Sequence, residues 1–349
     1  MVFIIIISGM LIGITFYIYN HNNTTVNTNR IVEIKFDQSE RILLDYSTLW
    51  VKALKVQNSD YIFFLSNLYN STNNVLYYMK NINNGWSNPE MININLSIFN
   101  IFDCIYDEDN NIFYIFFCHE YEEQYAIFFT EWSPDSVGLI EQVTNYPQKE
   151  YPLQNIRQGA YECSATLAKN GTIYLFYSYV TGKSESLNEL QFVTYNGNNW
   201  SKPIKIGAGN NPFTLIDNEG KFFIYTNMYT YSLNKQYVID EWTLKNKLWL
   251  KNEITSSAKD CSVNPFVVID KYGTKYLIYD HLEHKEGSKT NIILQTQRKG
   301  EPWSDNQIII KGDINNEIRS PCITIDSDNI NIYYIKNQNI FLTAGKIIS

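Results

Sequence analysis

The chain has 349 residues, a formal charge of −8 at pH 7 and five scattered arginines (Arg30, Arg41, Arg157, Arg298 and Arg319). Binding along a phosphate backbone needs clustered cations, so this balance argues against a nucleic-acid partner. With 27 Tyr, 19 Phe, 9 Pro and no sustained helical period, the composition suits packed, pleated sheet.

Residues 2–19 (VFIIIISGMLIGITFYIY) carry no charge. This is the character of a signal anchor or a signal peptide over 1–20. Bulky aromatics stand where a cleavage site would need small residues, which favours the anchor. Residues 21–29 (HNNTTVNTN) read as a polar stalk. The rest, 30–349, is expected to face the outside of the membrane or to be secreted.

After an extended run at 30–36 (RIVEIKF), a unit of roughly fifty residues recurs. Its signature is an extended run, a tight turn and an aromatic strand. The copies are LKVQNSDYIFFL (54–65), CIYDEDNNIFYIFF (104–117), ATLAKNGTIYLFYS (165–178), TLIDNEGKFFIYTN (214–227), VVIDKYGTKYLIYD (267–280) and ITIDSDNINIYYIK (323–336). A third strand follows each copy, and a turn at Trp86, Trp200 or Trp303, with a looser one at Trp249, opens a fourth. Short strands at this period predict an all-β, six-bladed β-propeller of four-stranded antiparallel blades. The last copy ends at Ser349 after three strands, so 30–36 is predicted to supply the missing strand and close the ring. Asp107, Asp109 and Asn111 imitate a calcium-loop spacing, but no Gly or terminal Glu completes it; a hairpin turn is expected. Five cysteines lie at 104, 118, 163, 261 and 322 without zinc spacing, and buried thiols are expected.

The Trp turns and the strand starts resemble those of sialidase-superfamily propellers with Asp-box repeats. The order Ser/Thr-x-Asp-x-Gly-x-x-Trp survives as Gly197 before Trp200, and as Thr296 and Gly300 before Trp303, while Arg298 stands at the Asp position. Ile318-Arg319-Ser320-Pro321 keeps the Arg-x-Pro of the family's strand-opening motif, though in the last unit and not the first. The resemblance implies a carbohydrate ligand and a role for arginine against a carboxylate.

Three strand starts each bring a carboxylate: Asp103, Glu162 and Asp260. Three acids on one propeller axis can supply the acid and base of glycoside hydrolysis, in a pattern that resembles five-bladed arabinanase-like enzymes. Equally, they can solvate the channel rim or pair with Lys52 and Arg319. Arg157 and Tyr161 in the 141–161 loop, with Arg319, His119 and His281, are the candidate ligand contacts. His281 and His284 form a loop His-x-x-His, too weak a pattern to predict a metal, and no cofactor is expected. The leading expectation is an extracytoplasmic, membrane-anchored module binding a glycan or a surface protein. The alternative is a glycoside hydrolase of the sialidase or arabinanase propeller type.

Overall fold

The computed structural model describes residues 33–43, 46–67, 74–82, 85–99, 101–121, 124–144, 158–181, 188–230, 236–255, 260–283, 289–313 and 316–348. The expected anchor and stalk, Arg30, Arg157 and His284 lie outside these residues. Among the described residues no helix is long and apolar enough to cross a membrane.

Every described element is a strand. The chain begins with β1 (Glu33–Phe36) and β2 (Glu40–Arg41). A first sheet holds β3 (Ser47–Val56), β4 (Ser59–Asn67), β5 (Asn74–Ile82), β6 (Gly85–Trp86) and β7 (Glu90–Met91). Next come β8 (Phe102–Asp107), β9 (Ile112–Tyr121), β10 (Gln124–Ser133), β11 (Ser136–Val137) and β12 (Glu141–Gln142). They continue into β13 (Gly159–Leu167), β14 (Ile173–Val180), β15 (Glu189–Tyr195) and β16 (Ile204–Ala208), in one nine-stranded sheet. Two four-stranded sheets follow: β17 (Asn210–Ile216), β18 (Phe222–Thr230), β19 (Gln236–Lys245), β20 (Leu248–Glu253); then β21 (Asp260–Ile269), β22 (Lys275–Glu283), β23 (Lys289–Gln297), β24 (Gln307–Ile310). The last sheet runs β25 (Ile318–Asp326), β26 (Asn329–Lys336), β27 (Asn339–Ile348), with β1 on the outer edge of β27 in the register Glu33↔Ile348 to Phe36↔Gly345.

The nine-stranded sheet is two units joined at one parallel bridge, Tyr125↔Gly159. Gly159 adopts φ +125°, and a Cβ there would lie 2.0 Å from the Tyr125 carbonyl oxygen. Only glycine permits that approach. The first strands β3, β8, β13, β17, β21 and β25 pack against one another in cyclic order, β25 returning to β3. The protein is an all-β propeller.

The aromatic runs are buried on both faces, which explains why they read as continuous apolar stretches and not as alternating ones. In β4, Ile62 and Phe64 pack with Ile332 and Tyr334 of β26, while Phe63 and Leu65 pack with Ile115 and Phe117 of β9. Successive side chains leave a strand on opposite faces, so one strand serves two neighbouring sheets. The Trp turns add a staple between neighbours. Trp86 meets Tyr333 edge-on at 5.9 Å, Trp200 meets Phe116 at 6.3 Å, Trp249 meets Phe176 at 6.1 Å and Trp303 meets Tyr225 at 6.3 Å. Each is a Trp near an outer strand packed on the second strand of the preceding unit.

The acidic turns are hairpins. Asp107 Oδ1 accepts the amides of Asp109 and Asn110, and Asp270 Oδ1 those of Tyr272 and Thr274. These carboxylates hold the turn. All five cysteines are buried free thiols.

Candidate functional site at the inner-strand bulges

Five of the six first strands share an irregularity, β8 alone pairing with its second strand in continuous register. Pairing with the second strand slips between Thr48 and Trp50, Tyr161 and Cys163, Asn210 and Phe213, Val263 and Phe266, and Arg319 and Cys322. In four of these bulges a non-glycine residue is left-handed: Glu162 (φ +49°), Asn211 (+46°), Asn264 (+56°) and Ser320 (+53°). Proline follows the last three, and a residue before proline prefers an extended backbone. The strain persists because the surrounding hydrogen bonds fix it, and such strain collects at functional sites.

The bulges are tied into a belt. Glu162 Oε2 accepts from the Asn211 amide at 2.7 Å and from Ser178 Oγ at 3.2 Å. Asn211 Nδ2 donates to Asn264 Oδ1 at 2.6 Å, and Asn264 Nδ2 to Asp280 Oδ2 at 2.7 Å. The Ser320 amide donates to the same Asp280 oxygen at 3.0 Å. A hydrogen-bonded path therefore links a carboxyl on β13 to a carboxyl on β22 through two asparagines.

Both carboxyls are displaced in the same direction. Burial pushes Glu162 up to about 7, against the lowering by hydrogen bonds from the Asn211 amide, Ser178 and Tyr161. Burial likewise pushes Asp280 up to about 7, opposed by Asn264, the Ser320 amide and the Arg319 charge. Asp280 is 2% exposed and its Oδ1 has no hydrogen-bond partner among the described residues. A carboxyl whose folded pKa is raised binds a proton that the unfolded chain has released. Its stabilising contribution is complete below the unfolded value, near 4, and is lost as pH rises through about 7. Stability is therefore expected to fall between pH 4.5 and 7.5, and Asp280→Asn to flatten that slope; urea melts across this range check both, and an unchanged slope in the variant would contradict the assignment.

The axis itself is filled. The inner-strand segments leave a cavity of only about 30 Å³, lined by Lys52, Asp103, Phe213 and Phe266 among others. Lys52 Nζ sits 2.5 Å from Asp103 Oδ1, and 4.7 and 4.9 Å from the Phe213 and Phe266 ring centroids. Asp103 also accepts the Cys104 amide at 2.9 Å and the Ala165 amide at 2.8 Å. This carboxylate is 3% exposed and fully engaged. It sits in the central plug, in the Lys52 pair that the sequence left open as the alternative to a role in hydrolysis.

Asp260 opens β21 and lies 3.6 Å from His281 Nε2, whose Nδ1 is 3.4 Å from Ser262 Oγ. His281 lies within β22 and not in a loop as expected, because that hairpin extends further than its aromatic run, and His119 likewise lies within β9. His119 Nδ1 donates to the Ser97 carbonyl at 2.8 Å, and its ring stands edge-on to Phe128. Arg319 Nη2 donates to the Thr48 carbonyl at 3.3 Å, with Nη1 3.5 Å from Glu317. The Tyr161 hydroxyl accepts from Asn188 Nδ2 at 3.1 Å, and burial raises its pKa. Among the described residues no cluster of His, Cys, Asp and Glu could hold a metal.

Of the expected residues, the structure brings Glu162 and Tyr161 together at one bulge, and Arg319 to the neighbourhood of Asp280. Sequence reading missed Asn211, Asn264, Ser178 and Asp280 as members of the site. The repeated Asn-Pro-Phe at 211–213 and 264–266 was the available signal.

No known protein family matches the chain, and no curated protein matches it. Solved structures do. A protein of unknown function from Dyadobacter fermentans DSM 18053 superposes with a TM-score of 0.65 at 11% identity, over 91% of this chain and 100% of that one. The α-L-arabinofuranosidase Arb93A from Fusarium graminearum, in complex with an iminosugar inhibitor, superposes at 0.66 and 12% identity, over 90% and 98%. At these identities the likeness is one of fold.

Proposed function

We propose that the chain is a six-bladed propeller, closed by β1 on β27, that hydrolyses a glycosidic bond at the bulge belt. Glu162 is the general acid. The observation that carries this reading is the carboxyl of a part-buried residue, held on a strained backbone, with a pKa that burial raises to about 7, so that about half of it carries a proton at neutral pH. It gives its proton to the leaving oxygen as the glycosidic bond breaks. Asp260, the remaining partly exposed acid of the three, serves as the second carboxylate, taking a proton from the attacking water or attacking the sugar itself. Asp280 acts through Asn264 and Asn211 to fix the local geometry. The fold shared with an arabinofuranosidase supports a furanoside substrate over a sialoside. Arg319, the sialidase-type arginine, is engaged by Thr48 and lies near Glu317.

A second reading is glycan binding without turnover. It is favoured by one observation: the Lys52–Asp103 pair removes one of the three acids from any open site. The test is a panel of chromogenic glycosides that includes an α-L-arabinofuranoside, a β-xyloside and a sialoside. Turnover of the arabinofuranoside, with a rate that falls as pH rises through about 7, is expected. Retention of glycans with no turnover on any member would replace hydrolysis with the second reading.

A further inference from the structure

The opposite end of the propeller, where the first and second strands turn, carries a second concavity that the belt does not use. A cavity of about 600 Å³ opens between the β17–β18 and β21–β22 turns, and one of about 530 Å³ lies beside it towards the β25–β26 turn. Both are of the size that holds small molecules. They share Tyr272, Arg298 and Lys299.

Three features define what they suit. The first is charge. The chain carries 28 cations against 36 carboxylates, yet the larger cavity is lined by five cations and four carboxylates. Two of those carboxylates are already paired, Glu241 with Lys275 at 2.6 Å and Glu219 with Lys299. A third, Asp217, accepts the amides of Glu219 and Lys221. Lys221, Lys271 and Arg298 have no ion pair among the described residues. The larger cavity thus has one cation in excess; the smaller adds no cation and two carboxylates, Asp328 and Asp270, the latter taken up by the Tyr272 and Thr274 amides and the Tyr276 hydroxyl, so the anion-binding end is the larger cavity.

The second feature is a buried floor. Lys275 is 8% exposed, with its ammonium 3.5 Å from the centroid of Phe223; Lys221 lies 4.6 Å from the same ring. Burial lowers the Lys275 pKa while Glu241 holds it up. The third feature is an aromatic platform. Tyr272 is 71% exposed at the tip of a turn that Asp270 and Gly273 (φ +81°) make rigid. Lys271 Nζ lies 4.9 Å from its ring centroid. The hydroxyl-bearing side chains of Thr274, Tyr276 and Ser327 line the smaller cavity beyond it.

We infer that this paired cavity binds an acidic saccharide, with a sugar ring on Tyr272 and its carboxylate on Arg298 and Lys221. Aromatic rings pack on sugar faces, guanidinium matches a carboxylate with paired hydrogen bonds, and a double cavity needs a ligand longer than a simple anion. The site lies on the face away from Glu162 and does not depend on hydrolysis there.

The test uses the full chain and calorimetric titration with galacturonic acid trisaccharide, against neutral galactotriose. The acidic trisaccharide is expected to bind, the neutral one about tenfold more weakly or worse, and Arg298→Ala and Tyr272→Ala each to weaken the acidic ligand by about tenfold. Both side chains are near the surface, so thermal melts of the variants should match the parent. Glu162→Gln should leave this binding unchanged. Equal binding of the neutral sugar, full displacement by millimolar inorganic phosphate, insensitivity to Arg298→Ala, or loss of binding in Glu162→Gln would each overturn the inference.

Discussion

Glu162→Gln is expected to lower turnover of a cleavable glycoside by about 10²- to 10⁴-fold, the usual contribution of a positioned general acid. The substitution keeps an oxygen that can accept from the Asn211 amide and Ser178, so the bulge and its hydrogen bonds stay in place. What disappears is the proton, and with it the fall in rate as pH rises through about 7. Ser178→Ala provides the contrast. It removes one hydrogen bond that stabilises the carboxylate form, so the pKa of Glu162 should rise and the alkaline limb should move to higher pH with a small change in rate. Turnover retained in Glu162→Gln with its limb intact would place the acid elsewhere and leave the belt a structural device.

Lys52→Met should destabilise the fold by about 3–5 kcal/mol, because it leaves the Asp103 carboxylate buried at the axis without its cation. The two amides that Asp103 accepts from Cys104 and Ala165 do not neutralise it. The loss also removes a cation held over the adjacent Phe213 and Phe266 rings. The double variant Lys52→Met with Asp103→Asn should recover part of that stability, since no charge is left buried and the new amide oxygen can still accept one of the Cys104 and Ala165 amides. Chemical denaturation of the three proteins reads both effects. A neutral Lys52→Met would mean that water reaches the axis and that the pair is not the plug described.

The repeat and its turns were legible because they follow from short-range chemistry. Gly171, Gly220 and Gly273 take φ near +80° at the hairpin tips, and the residues after each turn are aromatic or β-branched. The double-sided burial of Phe63 and Phe64 was written in an apolar run too long to alternate. The cysteines read correctly as buried residues because four of them sit inside first strands that face the axis and Cys118 lies in the buried second strand β9.

The site was legible only in part. Glu162 was singled out for its place before an inner strand, and its partners were not, because they come from other strands. Asn211 is 49 residues away and Asn264 a further 53. Asp280 read as a neighbour of His281, since nothing local reveals that β22 turns its side chain towards Asn264 and Ser320. Asp103 looked equivalent to Glu162 by position, yet one became the plug and the other a perturbed acid. The difference is the company each keeps: Lys52 reaches Asp103, and no cation is among the groups that set the Glu162 pKa. The sequence by itself determined the strands, their turns and the two-sided core, because period, propensity and left-handed turn residues act within a few positions. Only the tertiary structure decided which carboxyls are neutralised and which keep a proton, because that depends on desolvation and charges brought together from distant units.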